Sequence, residues 1–218
     1  EIVKPTQKVP PVQIINMVNK LRGGVGKVYQ KLVPPQVAML EMISNMWVTQ
    51  ALSVVAELGV ADIIKDGEVH FSELAKEAGA HPQSLYRLLR GLSSYNIFSE
   101  SKEGYFKLTT YGHCLRSDVP DTVKSMAIFQ GQYQWAHWGK LLESVKSGSP
   151  VVDTVRGMPF FDFLQKTPHA QKHFDQYMTT ISSVEINAIL AVYDFSTSQV
   201  LADVGGGHDQ SAVCRFAL

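Results

Sequence analysis

The spacing of apolar residues near the start of the chain predicts two helices. Apolar side chains recur at helical intervals over residues 12–22, and Gly23 and Gly24 are expected to end this helix. Residues 36–58 give the strongest helical pattern in the chain, closed by Gly59. Apolar positions cover more than one face of this second helix, so we expect it to be buried on two sides or buried by a partner chain.

Short elements follow in residues 67–112. Alternating apolar residues and turn residues predict, in order, a strand, two helices and a two-stranded hairpin, which is the winged-helix order. We expect Ser72 to cap the first of these helices and Pro82 to open the second. The predicted elements are a strand at Val69–Phe71, helices at Glu73–Ala78 and 82–93, and hairpin strands at 97–100 and 105–109.

A winged helix in this chain has two interpretations. It could bind DNA through residues 82–93, where Arg87 and Arg90 offer positive charge. It could instead be a packing or dimerisation module, because the same helix carries four leucines and the hairpin carries Glu100. The 20 Lys and Arg residues balance the 20 Asp and Glu residues, and no basic stripe is present. Composition therefore argues against a nucleic-acid partner.

The second half of the chain is predicted to be helical and ends in a glycine-rich segment. Residues 199–204 predict a strand, and Gly205–Gly207 follow it directly. Glycines after a strand let backbone N–H groups approach a ligand closely, as in a cofactor-binding loop, but they can also form a simple turn. Asp203 could orient such a loop. The helices predicted before the strand span 121–131, 134–147, 160–165, 168–178 and 180–192.

Composition is typical of a packed protein. Hydrophobic residues make up 45% and charged residues 18% of the 218 residues. Two cysteines without metal-ligand or C-x-x-C spacing predict a reducing, cytoplasmic compartment. Apolar runs stay below the length of about 18 residues expected of a membrane span, so we predict no membrane partner.

Histidines and aromatic residues are the remaining candidates for chemistry. His137, His169, His173 and His208 are scattered, and none stands at a catalytic or metal-ligand spacing from a carboxylate or a cysteine. We therefore predict no metal site and assign no catalytic residue. The aromatic residues after position 128 recur at helical spacing, which is more typical of a core. The alternative is a flat apolar pocket for an aromatic ligand.

Five segments match a known family in chain order: Gln50–Asp62, Ser84–Leu92, Tyr105–Thr109, Phe174–Ser182 and Val200–Gly207. They resemble the S-adenosylmethionine-dependent O-methyltransferases of the plant caffeate type and their bacterial and acetylserotonin-methylating relatives. This resemblance implies a mainly α fold: a helical dimerisation domain with a winged-helix core over 1–116, a helical linker and substrate lid over 117–197, and the first strand of an α/β Rossmann-like cofactor domain over 198–218. It also implies a homodimer formed through the N-terminal helices.

The resemblance also assigns site residues and a reaction. The expected cofactor is S-adenosylmethionine, and the reaction is methyl transfer to a phenolic or enolic hydroxyl after a histidine base removes its proton. The cofactor positions implied are Ser182, Asp203, Gly205, Gly206 and Gly207. The positions implied to line the pocket for a small aromatic substrate are Phe129, Trp138, Phe163, Tyr177 and Met178.

Two departures from the family pattern change the expectation for this chain. Asp209 stands where the family usually has a further glycine, and the family's ribose-binding acid and histidine base have no counterpart. We therefore expect an incomplete cofactor domain and no turnover by the chain as given. The alternatives are a non-catalytic dimerisation module that regulates a full-length paralogue, and a winged-helix DNA-binding protein.

Overall fold

The computed structural model describes residues 12–120 and 122–190. The chain divides into two compact units. Within the described ranges, the first unit holds residues 12–44 and 178–190, and the second holds residues 45–177. The expected strand at 199–204 and the glycine loop lie outside the described residues. None of the helices in the described ranges combines the length and the apolar character needed to cross a lipid bilayer.

Helices dominate both units, and one small sheet belongs to the second. The helices before the sheet are α1 (Val12–Lys31), α2 (Pro35–Ser44), α3 (Met46–Glu57) and α4 (Val60–Ile64). The sheet segment contains β1 (Val69–His70), α5 (Phe71–Glu77), α6 (Pro82–Ser93), β2 (Phe98–Lys102) and β3 (Tyr105–Leu108). The remaining elements are α7 (Thr110–His113), α8 (Lys124–Phe129), a π-helical turn (Gln130–Gln134), α9 (Trp135–Trp138), α10 (Leu141–Ser147), α11 (Val152–Arg156), α12 (Phe160–Lys166) and α13 (Pro168–Leu190).

The prediction that Gly23 and Gly24 end the first helix is wrong. Helix α1 continues to Lys31. A glycine inside a helix costs only about 1 kcal/mol relative to alanine, and the apolar pattern resumes at helical spacing with Val25 and Val28. The helical spacing of the apolar residues therefore outweighs the local glycine signal.

The predicted long helix over 36–58 is two helices. Asn45 separates α2 from α3, although its backbone stays in the right-handed helical region. Its side-chain Oδ1 accepts a hydrogen bond from Tyr95 Oη at 3.1 Å, so this residue is also a tertiary contact. Gly59 follows α3 with a φ of 65°, as expected of the residue after a helix C-cap.

The small elements predicted for residues 67–112 are present, with two corrections. Phe71, which was predicted in the first strand, begins α5 instead. The side chain that caps α5 is His70, whose Nδ1 accepts from the backbone N–H of Ser72. Ser72 itself lies inside the helix. The antiparallel sheet has the order β1-β3-β2, and Phe98 on β2 faces Leu108 on β3.

The second half also differs in its helix boundaries. The helices predicted at 168–178 and 180–192 form one helix, α13, and Gly139 interrupts the helix predicted at 134–147. Helix α11 was not predicted. Short helices of this length carry too few apolar positions to show a clear period.

Two hydrophobic clusters form the core of the second unit. The larger joins α3, α4, α5, α6 and the sheet around fully buried residues such as Leu74, Leu89 and Phe106. The smaller surrounds Phe129 and Leu164 with aromatic rings from the π-helical turn, α12 and α13. Helix α3 packs against both α8 and the π-helical turn, and α8 contributes Ile128 to the larger cluster and Phe129 to the smaller.

Candidate functional site

An apolar cavity of about 640 Å³ lies in the second unit. This volume falls within the range of about 300–1,000 Å³ that is typical of small-molecule sites. Among the described residues that line the cavity, none is charged, and three large aromatic side chains face it. The lining residues are Thr49, Leu52, Ile97, Tyr111, Cys114, Leu115, Val123, Met126, Ala127, Gln130, Trp135 and Trp138.

The aromatic rings at the cavity give it the chemistry of a site for a flat ligand. Trp135 and Trp138 stand three residues apart on α9, so both side chains reach the same side of the helix. Trp138 is 64% exposed, which is unusual for so large an apolar side chain. Thr49 and Gln130 supply hydroxyl and amide groups beside these rings, which can orient a polar substituent of the ligand.

A π-helical turn positions one edge of the cavity. Such turns widen a helix by one residue and are frequent at functional sites. The turn begins with Gln130, which lines the cavity, and its Gly131 packs against α3. Gln50 Nε2 donates a hydrogen bond to the Gly131 carbonyl at 3.2 Å, which supplies a partner for a backbone group of the widened turn.

The smaller hydrophobic cluster, around Phe129 and Leu164, is an aromatic cluster next to this turn, and the Arg156 side chain contacts it. The Arg156 guanidinium carbon lies 3.9 Å from the Phe163 ring centroid, and Nη2 donates a hydrogen bond to the Tyr133 carbonyl at 2.5 Å.

Burial lowers the pKa of His137, and the positive charge of Arg156 lowers it further. The His137 imidazole is therefore neutral at neutral pH, with its Nδ1 2.8 Å from Gln134 Oε1.

Three of the five predicted substrate positions lie together in the structure. Phe129, Phe163 and Tyr177 belong to one packed aromatic cluster, in which Phe129 is fully buried. Trp138 belongs to the cavity lining instead. Met178 lies in the first unit and is 40% exposed.

The predicted cofactor positions are mostly outside the described residues. Asp203, Gly205, Gly206 and Gly207 lie there. Ser182 is on α13 in the first unit and is half-buried.

Sequence reasoning missed most of the cavity lining. The sequence could have indicated Trp135, because it stands three residues before Trp138 and this spacing places both side chains on one side of a helix. Thr49, Tyr111 and Gln130 come from three separate elements, and only the tertiary packing of α3, α7 and the π-helical turn brings them together.

The chain belongs to the O-methyltransferase family. A family model of the O-methyltransferase dimerisation domain matches residues 40–118, and a model of the O-methyltransferase domain matches residues 138–215. The family uses S-adenosylmethionine as its cofactor. These matches confirm the family expected from the sequence and its mainly helical fold with a small sheet.

Individual relatives agree with this assignment. The chain is 34% identical over 185 residues to a phenazine O-methyltransferase of Lysobacter antibioticus, which covers 84% of this chain and 54% of the relative. The solved structure of an N,N-8-amino-8-demethyl-D-riboflavin dimethyltransferase from Streptomyces davawensis, whose name describes methylation at nitrogen, matches with a TM-score of 0.72 and 29% identity, over 80% of this chain and 53% of that chain.

A more distant structure matches in fold alone. Human N-acetylserotonin methyltransferase in complex with S-adenosylmethionine aligns with a TM-score of 0.75 and 22% identity, over 85% of this chain and 56% of that chain. The chain thus spans about half the length of the relatives it matches.

Proposed function

We propose that this protein is an S-adenosylmethionine-dependent methyltransferase that methylates a hydroxyl group on a small planar aromatic molecule. The observation that carries the proposal is the apolar cavity, which faces three aromatic rings and lies within a chain of the O-methyltransferase family. The two bacterial relatives are described as acting on a phenazine and on a riboflavin derivative, which are both flat fused-ring systems.

The described residues contribute binding and orientation. Rings at Tyr111, Trp135 and Trp138 can stack on a flat acceptor, while Thr49 and Gln130 can hydrogen-bond its polar substituents. Holding the acceptor in one orientation and excluding water raises the rate of a transfer reaction even before proton removal is considered. S-adenosylmethionine, when bound, supplies the methyl group. We assign its binding to the predicted positions Ser182, Asp203 and Gly205–Gly207.

We further propose a homodimer built through the N-terminal helices. Helix α2 contributes no buried residue, and both α1 and α2 present many exposed apolar side chains, including Leu21, Val25, Leu40 and Ile43. Exposed apolar patches of this extent are typical of protein interfaces. The dimerisation-domain model begins at residue 40, within α2.

The segment over 67–112 is best explained as a winged-helix unit of the dimerisation domain. It lies within the match to the dimerisation model. Arg90, one of the two arginines considered for DNA contact, lies 3.7 Å from the Glu100 carboxylate on β2. The family matches favour a methyltransferase over the DNA-binding and purely regulatory alternatives.

A transfer assay tests the function. The protein is incubated with S-adenosylmethionine carrying a labelled methyl group and a panel of flat aromatic hydroxyl compounds, and label in the acceptor is measured. We expect Trp138→Ala to weaken binding of the acceptor, measured as Kd by titration of the protein with the same compounds, a readout that does not need turnover. Phe161→Ala is the matched control, because Phe161 is 66% exposed, close to the 64% of Trp138, and does not line the cavity. Equal effects of the two changes would contradict the assignment of the cavity.

A further inference from the structure

Three side chains with metal-binding atoms meet on the second unit, where the end of α3 approaches the start of α13. Glu57, His169 and His173 each present one ligand atom, and these three atoms lie within 4.8 Å of one another. Glu57 is the last residue of α3, while the two histidines stand four residues apart near the start of α13. Residues four apart on a helix face the same side, so one ion can reach both imidazoles.

The separation of the two imidazoles fits a bound ion. The Nε2 atoms of His169 and His173 are 3.3 Å apart. Zn²⁺ binds histidine nitrogen at about 2.0–2.1 Å in a tetrahedral arrangement, which places two such nitrogens about 3.3 Å from each other. The histidine pair therefore has the spacing of two ligands on one ion before any ion is added.

The other ring nitrogens are held by polar groups. His169 Nδ1 lies 2.9 Å from Tyr133 Oη, and His173 Nδ1 lies 3.2 Å from Ser125 Oγ. Ser125 Oγ in turn donates to Gln176 Oε1 at 2.5 Å. Histidines that bind metals usually donate the second ring N–H to such a partner, which fixes the tautomer and turns Nε2 toward the ion.

Without an ion, the same atoms can form a hydrogen-bonded chain. Tyr133 Oη can donate to His169 Nδ1, and His169 Nε2–H can donate to His173 Nε2. Binding of an ion to both Nε2 atoms requires the proton of His169 to move to Nδ1, where it is donated to Tyr133 Oη. The two states of the histidine pair thus differ in one tautomer, and the 3.3 Å separation of the two Nε2 atoms suits both.

The negative end of the α3 dipole lies at Glu57 and favours a cation at this place. A neutral imidazole is the form that binds metal ions.

We propose that Glu57, His169 and His173 form a binding site for a divalent transition-metal ion of the Zn²⁺ class. Two imidazoles and one carboxylate suit Zn²⁺, Co²⁺ and Ni²⁺ better than Mg²⁺ or Ca²⁺, which prefer oxygen ligands. Glu57 and His169 are exposed, so the fourth position of the ion is open to water. Binding would tie the end of α3 to the first half of α13. This proposal is independent of the proposed methyltransferase function.

Titration of the metal-free full chain with Zn²⁺ tests the site. We expect one equivalent to bind, with the affinity reduced about tenfold or more by Glu57→Gln or His169→Ala, on the scale seen when the shell of a metal site is disrupted. His81→Asn is the matched control, because it removes an exposed imidazole while keeping a residue that can cap α6. No saturable binding by the unaltered chain, or equal affinities for all three variants, would overturn the proposal.

Two further measurements, the visible absorption of bound Co²⁺ and the Zn²⁺ dependence of Tm, test the same site. Co²⁺ should give the visible absorption of a tetrahedral complex in the unaltered chain and in His81→Asn, and this absorption should be lost in His169→Ala. Zn²⁺ should also raise Tm in the unaltered chain and in His81→Asn, and at the same Zn²⁺ concentration it should raise Tm less in Glu57→Gln. Because Glu57 and His169 are exposed, these variants should fold even where a change at buried His173 does not. Equal binding of Mg²⁺ would point to a general acidic surface and would also overturn the proposal.

Discussion

Gly131 on the π-helical turn lies directly against Ser53 on α3. A Cβ atom at position 131 would overlap both the Cβ and the Oγ of Ser53. Ser53 is itself buried at 3% exposure, so its side chain has little room to move. The close approach of these two residues therefore sets the distance between α3 and the turn that carries Gln130 into the cavity.

We expect Gly131→Ala to lower the free energy of unfolding by about 1–3 kcal/mol, the usual cost of overpacking a buried site. Urea unfolding followed by circular dichroism measures this change. Gly24→Ala on α1 is the control, because nothing lies within 4 Å of its added Cβ, and it should be neutral or stabilising by up to about 1 kcal/mol. Pairing Gly131→Ala with Ser53→Gly should recover part of the loss, and additive losses would contradict the contact.

Asp62 should make the free energy of unfolding depend on pH in acidic solution. Burial alone would raise its pKa, but hydrogen bonds from Lys124 Nζ at 2.6 Å and from Ser117 together hold the pKa below its usual value. Because the pKa of Asp62 is lower in the folded than in the unfolded state, the charged carboxylate stabilises the fold. This stabilisation is complete above the unfolded-state pKa of about 4. It is lost as pH falls through the folded pKa.

Asp62→Asn should therefore cost about 1 kcal/mol at neutral pH, and the difference from the unaltered protein should vanish in strong acid. Thermal unfolding across a pH series measures both points. Glu77→Gln, an exposed acid on α5, should show no such pH-dependent difference. A cost for Asp62→Asn that persists unchanged in strong acid would show that the carboxylate charge is not responsible.

Leu40→Asp should weaken the proposed homodimer. Leu40 on α2 is 62% exposed in the single chain, and a charge at an apolar interface loses its hydration when the partner binds. Light scattering after size-exclusion chromatography should show a dimer for the unaltered protein and a monomer for this variant at low concentration. Val145→Asp on α10 places the same charge at another exposed apolar site and should leave the mass unchanged. A monomeric unaltered protein would refute the dimer.

Arg156→Lys should destabilise the aromatic cluster by about 1 kcal/mol. The planar guanidinium faces Phe163 and donates to the Tyr133 carbonyl at the same time, and an ammonium group cannot do both in the same geometry. The free energy of unfolding measures the effect. Arg87→Lys, at an exposed position on α6, should change it by much less.

Local signals in the sequence predicted the short elements of the second unit well. Pro82 opens α6 as expected, Gly79 follows the C-cap of α5, and Gly104 adopts a φ of 79° in the hairpin turn. Each of these depends on a backbone preference of the residue itself, and such preferences are visible without knowledge of the rest of the chain.

Features that depend on packing between distant elements were not predictable in this way. The interruption at Asn45 coincides with a hydrogen bond to Tyr95, fifty residues later. The approach of Glu57 to His169 and His173 likewise joins residues more than a hundred positions apart. Sequence spacing could show the two histidines four residues apart, but it could not supply the carboxylate that faces them.

The π-helical turn also allows the deletion of a single residue to change the shape of the cavity. Because this turn holds one residue more than an α-helical turn, deletion of Gln132 would restore ordinary helical winding between Phe129 and Trp135. The side chains after the deletion would keep nearly their present direction around the helix axis, because only the residue that the wide turn holds in excess is removed. Both tryptophans would therefore stay at the cavity, while the backbone between Gln130 and Gln134 would narrow. One codon can thus change one edge of the cavity without turning its aromatic rings away, which gives this scaffold a direct path to new specificities.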